Sequence, residues 1–279
     1  MAINFSLFTS LRFDVELKQA PSMGLDYAGW NYRNESPLYM LNYHRDRILR
    51  AAVHWQWDKV IDKLSGDTGL ANLAEAAESA IGPLETGPFR LRILVTKEGE
   101  ITFQRYDTPA LEIGNFFPES LPAPGTWPSP KQPQVPPQLT VVADSADSSR
   151  SEFTHFKTTN RTVYDDARSR AGIGSISPAN SVEVLIINGE DKTIMEGSTT
   201  TPYFWRDGRW ITPPVSGRYS QKDGSGGNDG TSRRWALERG LAAEKEIKAD
   251  QLVDGETCYI SNGVSGFRAG IIRLRKNDQ

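Results

Sequence analysis

The chain has 279 residues, 38% hydrophobic and 10% aromatic, with 32 Lys and Arg against 35 Asp and Glu for a formal net charge of -3. That length supports a large buried core in one big domain or two ordinary ones, and the near-balanced charge excludes a global basic field for nucleic acid or anionic membrane. One cysteine, Cys258, rules out an intramolecular disulfide, and no apolar run reaches the length of a membrane span or follows a basic leader, so the expectation is a soluble cytoplasmic protein.

Taken in order, 5–14 mixes aromatics in rough alternation and predicts a strand near the start. Residues 18–36, with Pro21, Gly24, Gly29 and Asn34, read as a loop. Leu41, Ile48, Ala52 and Val53 recur at helical spacing from Tyr39 to Trp57, with His44 and Arg47 three apart on one face. A second helix is expected over 69–80, stopped by Gly82 and Pro83. Residues 89–96 and 101–106, joined through Glu98 and Gly99, make a hairpin that carries Arg90 and Arg92 on one face.

Eight prolines between Asn115 and Gln138 exclude sheet or helix interior there, so the chain reads as an N-terminal domain over 1–114, a linker over 115–138 and a larger C-terminal domain over 139–279 that holds Lys157. Strands are expected over 139–143, 182–187, 194–196, 203–205, 210–212, 257–262 and 270–274. Helices are expected over 163–171, from Thr231 to Gly240 and near 242–249, with a glycine-rich loop over 213–230. Strands and helices do not alternate strictly, which argues an α+β fold in two parts.

Three features carry chemistry. Lys157 lies in a polar turn behind Phe153 and Phe156, and a lysine amine that loses its proton can form a Schiff base. Glu196 ends a short strand before Gly197, Ser198, Thr199 and Thr200, where a carboxylate can face a protonated ring nitrogen. Gly230, Thr231 and Ser232 open a helix whose free backbone donors favour a phosphate, to which Arg47 could add a bidentate contact. On spacing alone, each has an ordinary alternative: a solvated lysine, a turn glutamate, a capped helix start and a solvated helix face.

The order of these pieces resembles the fold-type IV, or class IV aminotransferase, family of pyridoxal phosphate enzymes, and in particular its carbon-oxygen lyases. The resemblance rests on Phe8-Thr-Ser-Leu-Arg12, His44-x-x-Arg47, Lys157-x-x-Asn160-Arg161, Glu196-Gly-Ser-Thr-Thr with Phe204-Trp-Arg, Gly230-Thr-Ser-Arg233 and the loop from Ser261 to Arg268. It implies a homodimer of two-domain subunits acting on a small carboxylated substrate, with pyridoxal 5'-phosphate in the cleft between domains. Lys157 would be the Schiff-base lysine and proton carrier, and Glu196 the partner of the ring nitrogen. Arg47, Thr231 and Ser232 would hold the phosphate, with Thr199, Thr200, Gly230, Asn262 and Gly263 also lining the cofactor. Thr9 or Ser10 is the candidate donor to a leaving group, and Arg12, Arg90, Arg92 and Arg161 are candidates for substrate carboxylates. The sequence departs from the family in the brevity of the segment before the first motif strand and in the length of the loop over 213–230. An aminotransferase, or a non-catalytic cofactor-binding homologue, would share the same motifs.

Overall fold

Strand β1 (Leu7–Phe13) is buried along nearly its whole length, because a second strand lies beside it and a helix covers its odd-numbered face. In the computed structural model, which describes residues 4–83, 85–126, 139–175 and 181–274, the chain divides into two units. The first comprises Met1–Phe117 and Phe156–Asn160, and the second comprises Pro118–His155 and Arg161–Gln279.

In the first unit β1 pairs antiparallel with β2 (Phe89–Val95), which pairs antiparallel with β3 (Ile101–Asp107). The stretch expected as loop folds instead into two 3-10 turns, Val15–Gln19 and Asp26–Ala28, and the short helix α1 (Trp30–Asn34). Asp14 caps the first of these turns by accepting from Glu16 N-H.

Helix α2 (Leu41–His54) packs on β1 and on the two helices that follow it, and buries Leu41, Ile48 and Ala52 of the expected stripe, with Ala51 beside them, while Val53 is exposed. His44 and Arg47 share that buried stripe, although both are polar. Helix α3 (Asp58–Leu64) was not legible, since seven residues give under two turns of periodicity. Helices α4 (Gly66–Ile81) and α5 (Ile113–Phe116) complete the unit.

The second unit contains β4 (Leu139–Ser148), α6 (Glu152–His155), α7 (Thr162–Arg170), β5 (Val182–Asn188), β6 (Ile194–Gly197), β7 (Thr201–Arg206), β8 (Arg209–Thr212), α8 (Thr231–Glu238), β9 (Ala243–Glu244), β10 (Thr257–Asn262) and β11 (Gly266–Ile272). Its eight strands form one mixed sheet in the order β6-β5-β4-β11-β10-β7-β8-β9.

The continuous run Val184-Leu-Ile-Ile187 arises because β5 is buried on both faces. Leu185 and Ile187 join a cluster with Leu139, Phe204 and Ile260, while Val184 and Ile186 face Tyr164 and Ala167 of α7. Cys258 lies in the first cluster, and burial, with Glu256 nearby, pushes its thiol up to about 12, which suits packing rather than nucleophilic chemistry.

The expected helix near 242–249 is corrected. Ala243 pairs with Ile211 as a parallel edge strand and Ile247 enters the core, so tertiary pairing overrides the helix preference of that stretch.

Of the expected linker, residues 127–138 lie outside the described residues. The segment 156–160, which the sequence suggested belongs with the C-terminal part, groups with the first unit. Among the described residues, no helix is long and apolar enough to cross a membrane.

Candidate active site

In the first unit, Lys157–Thr159 lies along the start of β1 as if it were an added strand. Phe8 N-H donates to Lys157 O at 3.1 Å, Thr159 N-H donates to Ser6 O at 2.9 Å, and Leu7 and Thr158 form an antiparallel bridge. These bonds set the Lys157 backbone opposite Phe8. The lysine Nζ then stands 5.1 Å from the centre of the Phe8 ring, and the Arg92 guanidinium carbon stands 4.6 Å from the same centre. Arg92 also donates to Gln104 Oε1 at 3.1 Å.

The even-numbered face of β1 carries Phe8, Ser10 and Arg12, with Ser10 opposite Arg92 and Arg12 opposite Arg90 across the strand pair. Arg12 is fully buried and committed to the fold. Its Nε donates to Asp14 at 2.8 Å, its Nη2 donates to Pro109 O at 3.0 Å, and it stacks 4.7 Å from the Phe116 ring centre. Arg90 lies 4.3 Å from the centre of its cross-strand partner Tyr106, and burial lowers its pKa against the raising effect of Tyr106. Of the arginines proposed for a carboxylate, Arg92 alone stacks on the ring that Lys157 also faces.

Thr9 lies on the opposite face of β1, fully buried against α2. Arg47 Nη2 donates to Thr9 Oγ1, and that oxygen is 2.5 Å from His44 Nδ1. The expectation that Thr9 donates to a departing group is corrected on this geometry, because its hydroxyl is enclosed between two α2 side chains. His44 is held well below the usual histidine range by burial, then by the charges of Arg47 and Lys157, so it is neutral.

In the second unit, Glu196 reaches its place through a bulge in β6. Ile187 pairs with Ile194 but Ile186 pairs with Glu196, so Met195 is the extra residue and Glu196 is turned to the face of Ile186. That face is covered by α7, and Tyr164 OH donates to Glu196 Oε1 at 2.6 Å. Asn228 N-H donates to the same oxygen at 3.1 Å. Burial, then the Glu196 charge, raises the Tyr164 pKa well above the usual tyrosine range and keeps its proton in place. Gly227 lets the loop pass this close: a Cβ there would stand 2.4 Å from Met195 O and 3.3 Å from Glu196 Cβ.

The same loop runs into α8. Gly230 is its N-cap without a side-chain cap bond, and a Cβ at Gly230 would lie 2.7 Å from Thr201 Oγ1. Arg233 ties the two ends of the loop together, donating to Asp229 Oδ1 at 3.0 Å and to Pro213 O at 2.9 Å. Ser232 Oγ lies 2.8 Å from Ser261 Oγ, which also meets Tyr203 OH at 2.9 Å, so the α8 start stands beside the tip of the β10–β11 hairpin. At that tip Asn262 Oδ1 accepts from Val264 N-H at 2.9 Å and Ser265 N-H at 2.8 Å, which shapes the turn around Gly263. The structure thus ties Glu196, through Asn228, to the loop that leads into Gly230 and Thr231, and ties Ser232 to Ser261 next to Asn262 and Gly263.

Thr199 and Thr200 have other work. Their hydroxyls donate to Glu183 Oε2 at 2.7 and 3.0 Å, while Ser198 N-H and Oγ donate to Glu183 Oε1 at 2.9 and 2.6 Å. Arg161 donates to Ser198 O at 2.9 Å and stacks 4.8 Å from the Tyr164 ring centre, which makes it a brace of the same bend.

Sequence reasoning missed Tyr164 and Glu183 altogether and passed over the partners of His44. The one available signal was Glu183 itself, a lone carboxylate inside an otherwise apolar strand, which requires donors when buried. Among the described residues, no group of three or more His, Cys, Asp and Glu could hold a metal ion. Within the second unit, a carboxylate that accepts from two donors and a helix start without a side-chain cap bond, flanked by hydroxyls, suit a flat, anionic, nitrogen-bearing group.

A family model for amino-transferase class IV matches residues 27–270. The aminodeoxychorismate lyase of Saccharomyces cerevisiae is 30% identical over 148 residues, 48% of this chain and 37% of that protein, so the match spans little more than a third of the relative's length. Among solved structures, a "putative amino-acid aminotransferase" from Mesorhizobium loti is 19% identical with a TM-score of 0.62, covering 98% of this chain and 100% of that one. A "putative 4-amino-4-deoxychorismate lyase" from Haemophilus somnus is 17% identical with a TM-score of 0.53, covering 95% and 100%. At those identities, the two structures speak to the fold.

Proposed function

We propose that this chain, which belongs to the class IV aminotransferase family, is a 4-amino-4-deoxychorismate lyase that releases pyruvate and 4-aminobenzoate. The family's enzymes depend on pyridoxal 5'-phosphate. In this reading Lys157 binds the cofactor covalently, Glu196 pairs with its ring nitrogen, and Arg47, Thr231, Ser232 and the backbone after Gly230 hold its phosphate. When bound, the cofactor supplies an electron sink for the charge left when a proton departs from the amine-bearing carbon.

The observation that carries the lyase reading is the pair of basic side chains on Phe8, an amine at 5.1 Å and a guanidinium at 4.6 Å from one ring centre. A flat six-membered ring with an amine at one end and a carboxylate at the other suits that arrangement: Lys157, once the substrate amine has displaced it from the cofactor, would take the proton from the amine-bearing carbon as a free amine, and Arg92 would donate to the ring carboxylate. The carbon-oxygen bond to the enolpyruvyl group then breaks and the ring becomes aromatic. Lys157 returns its proton to the departing fragment, which leaves as pyruvate, so atoms and charge balance. Tyr164 OH and Asn228 N-H both donate to Glu196 Oε1, which suits a carboxylate that would face a protonated ring nitrogen. Similarity to the yeast lyase supports the same assignment.

Class IV transamination would use the same Lys157 and Glu196 and is the second reading. A homodimer and a cytoplasmic location go with either one. The deciding assay supplies chorismate, glutamine and an aminating synthase and measures 4-aminobenzoate and pyruvate. Both products are expected in equal amounts; amino-group transfer to a 2-oxo acid without aminobenzoate overturns the lyase assignment. Absence of any cofactor absorbance in the purified protein overturns both enzyme readings.

A further inference from the structure

We infer that His44 is a positioning residue that fixes the Arg47 guanidinium through the Thr9 hydroxyl, and so sets the affinity of the protein for the phosphate of its cofactor. The inference rests on the pyridoxal phosphate reading above and concerns three side chains of one unit.

The geometry has a direction. Arg47 carries only donors, so the contact between its Nη2 and Thr9 Oγ1 uses a lone pair of the hydroxyl. Thr9 Oγ1 is 2.5 Å from His44 Nδ1, and because the donor-only Arg47 Nη2 also approaches that nitrogen, the arrangement favours a bare Nδ1 that accepts the Thr9 hydroxyl hydrogen. Arg47 Nη2 is itself 3.4 Å from the same nitrogen, so the three groups form a closed triangle. Thr9 and His44 are fully buried and Arg47 is 8% exposed, so water does not compete for these bonds.

A protonated imidazole would reverse the order. It would present a second donor to Thr9 Oγ1, place a positive charge beside Arg47, and leave the threonine proton without its acceptor. Burial and the charges of Arg47 and Lys157 favour the neutral ring that the triangle requires. His44 thus acts as an acceptor of fixed position on the buried helix face that also carries Arg47, and it holds the Arg47 guanidinium in place through Thr9.

The test compares His44→Asn, whose amide oxygen can take the place of Nδ1, with His44→Leu, which removes the acceptor, and with Thr9→Val, which removes the link. Apoprotein of each is titrated with pyridoxal phosphate and separately with pyridoxal, following tryptophan fluorescence and the absorbance of the bound chromophore. His44→Leu and Thr9→Val are expected to lower affinity for pyridoxal phosphate about tenfold, the loss of one charge-assisted hydrogen bond, while affinity for pyridoxal stays unchanged. His44→Asn is expected to remain within about threefold of the wild type, since it restores the acceptor. Equal loss toward both ligands, no loss toward either, or an asparagine variant as impaired as the leucine one overturns the assignment. If His44→Leu does not fold, Thr9→Val decides by the same criterion. Wild-type protein that binds neither ligand overturns the cofactor reading itself, an outcome separate from wild-type binding that the variants leave untouched.

Discussion

The hydroxyl of Tyr164 donates to Glu196 Oε1 at 2.6 Å, joining a helix to a bulged edge strand across 32 residues of sequence. Because burial and the neighbouring charge keep the phenol protonated, the bond is a donor to an ionised carboxylate, and such bonds contribute about 1.5–3 kcal/mol. In Tyr164→Phe, the turnover number is expected to fall about tenfold, with the far-ultraviolet circular dichroism unchanged. Steady-state kinetics check it, and unaltered turnover would remove Tyr164 from the account of Glu196.

Glu183 is a structural counterpart of that pair. It collects Val184 N-H, Ser198 N-H and Oγ, Thr199 N-H and Oγ1, and Thr200 Oγ1 on its two oxygens while 3% exposed. Glu183→Gln puts an amide donor among hydroxyl donors, and a loss of about 3 kcal/mol in unfolding free energy is expected from chemical denaturation. A loss under about 1 kcal/mol would mean that the bend after Glu196 holds without its buried anion.

The arginines should separate by kinetics and stability. Arg92→Met is expected to raise KM about tenfold or more with a lesser change in kcat, since a ground-state carboxylate contact is lost. Arg12→Met leaves Asp14 buried without its partner and should instead lower the melting temperature by several degrees, about 3 kcal/mol for a broken buried pair. Reversed phenotypes would exchange the two assignments.

Acid stability follows from His44. Its pKa in the folded chain is well below the ordinary 6.5, so below that pH the unfolded chain binds a proton that the native one refuses. Stability from this group is complete above about pH 6.5 and falls as pH drops toward the folded value, by up to about 1.4 kcal/mol per pH unit. Unfolding titrations between pH 7 and 5 should show this slope, and His44→Asn should flatten it.

A spectroscopic check bears on the lysine. In Lys157→Ala, the absorbance of lysine-bound cofactor is expected to vanish and turnover to fall by at least about 10²-fold, the usual contribution of a positioned proton carrier. An intact band would place the covalent link on another amine.

By itself the sequence determined many of the longer elements and the order of the motifs, because both are local. Alternation and helical spacing marked β1, α2, the β2–β3 hairpin and α7, and glycines beside Thr231 marked a helix start. The candidate residues Lys157, Glu196 and Arg47 were legible as types at set positions, and the class IV family match agrees with the family resemblance drawn from them. What only the tertiary structure decided is what each polar group touches. The bulge at Met195 that turns Glu196 toward Tyr164, the bracing contacts of Arg12 and Arg161, and the enclosure of Thr9 between Arg47 and His44 all depend on contacts between segments distant in sequence. A buried hydroxyl or carboxylate must find its partners wherever the fold brings them, and sequence spacing carries no record of that approach.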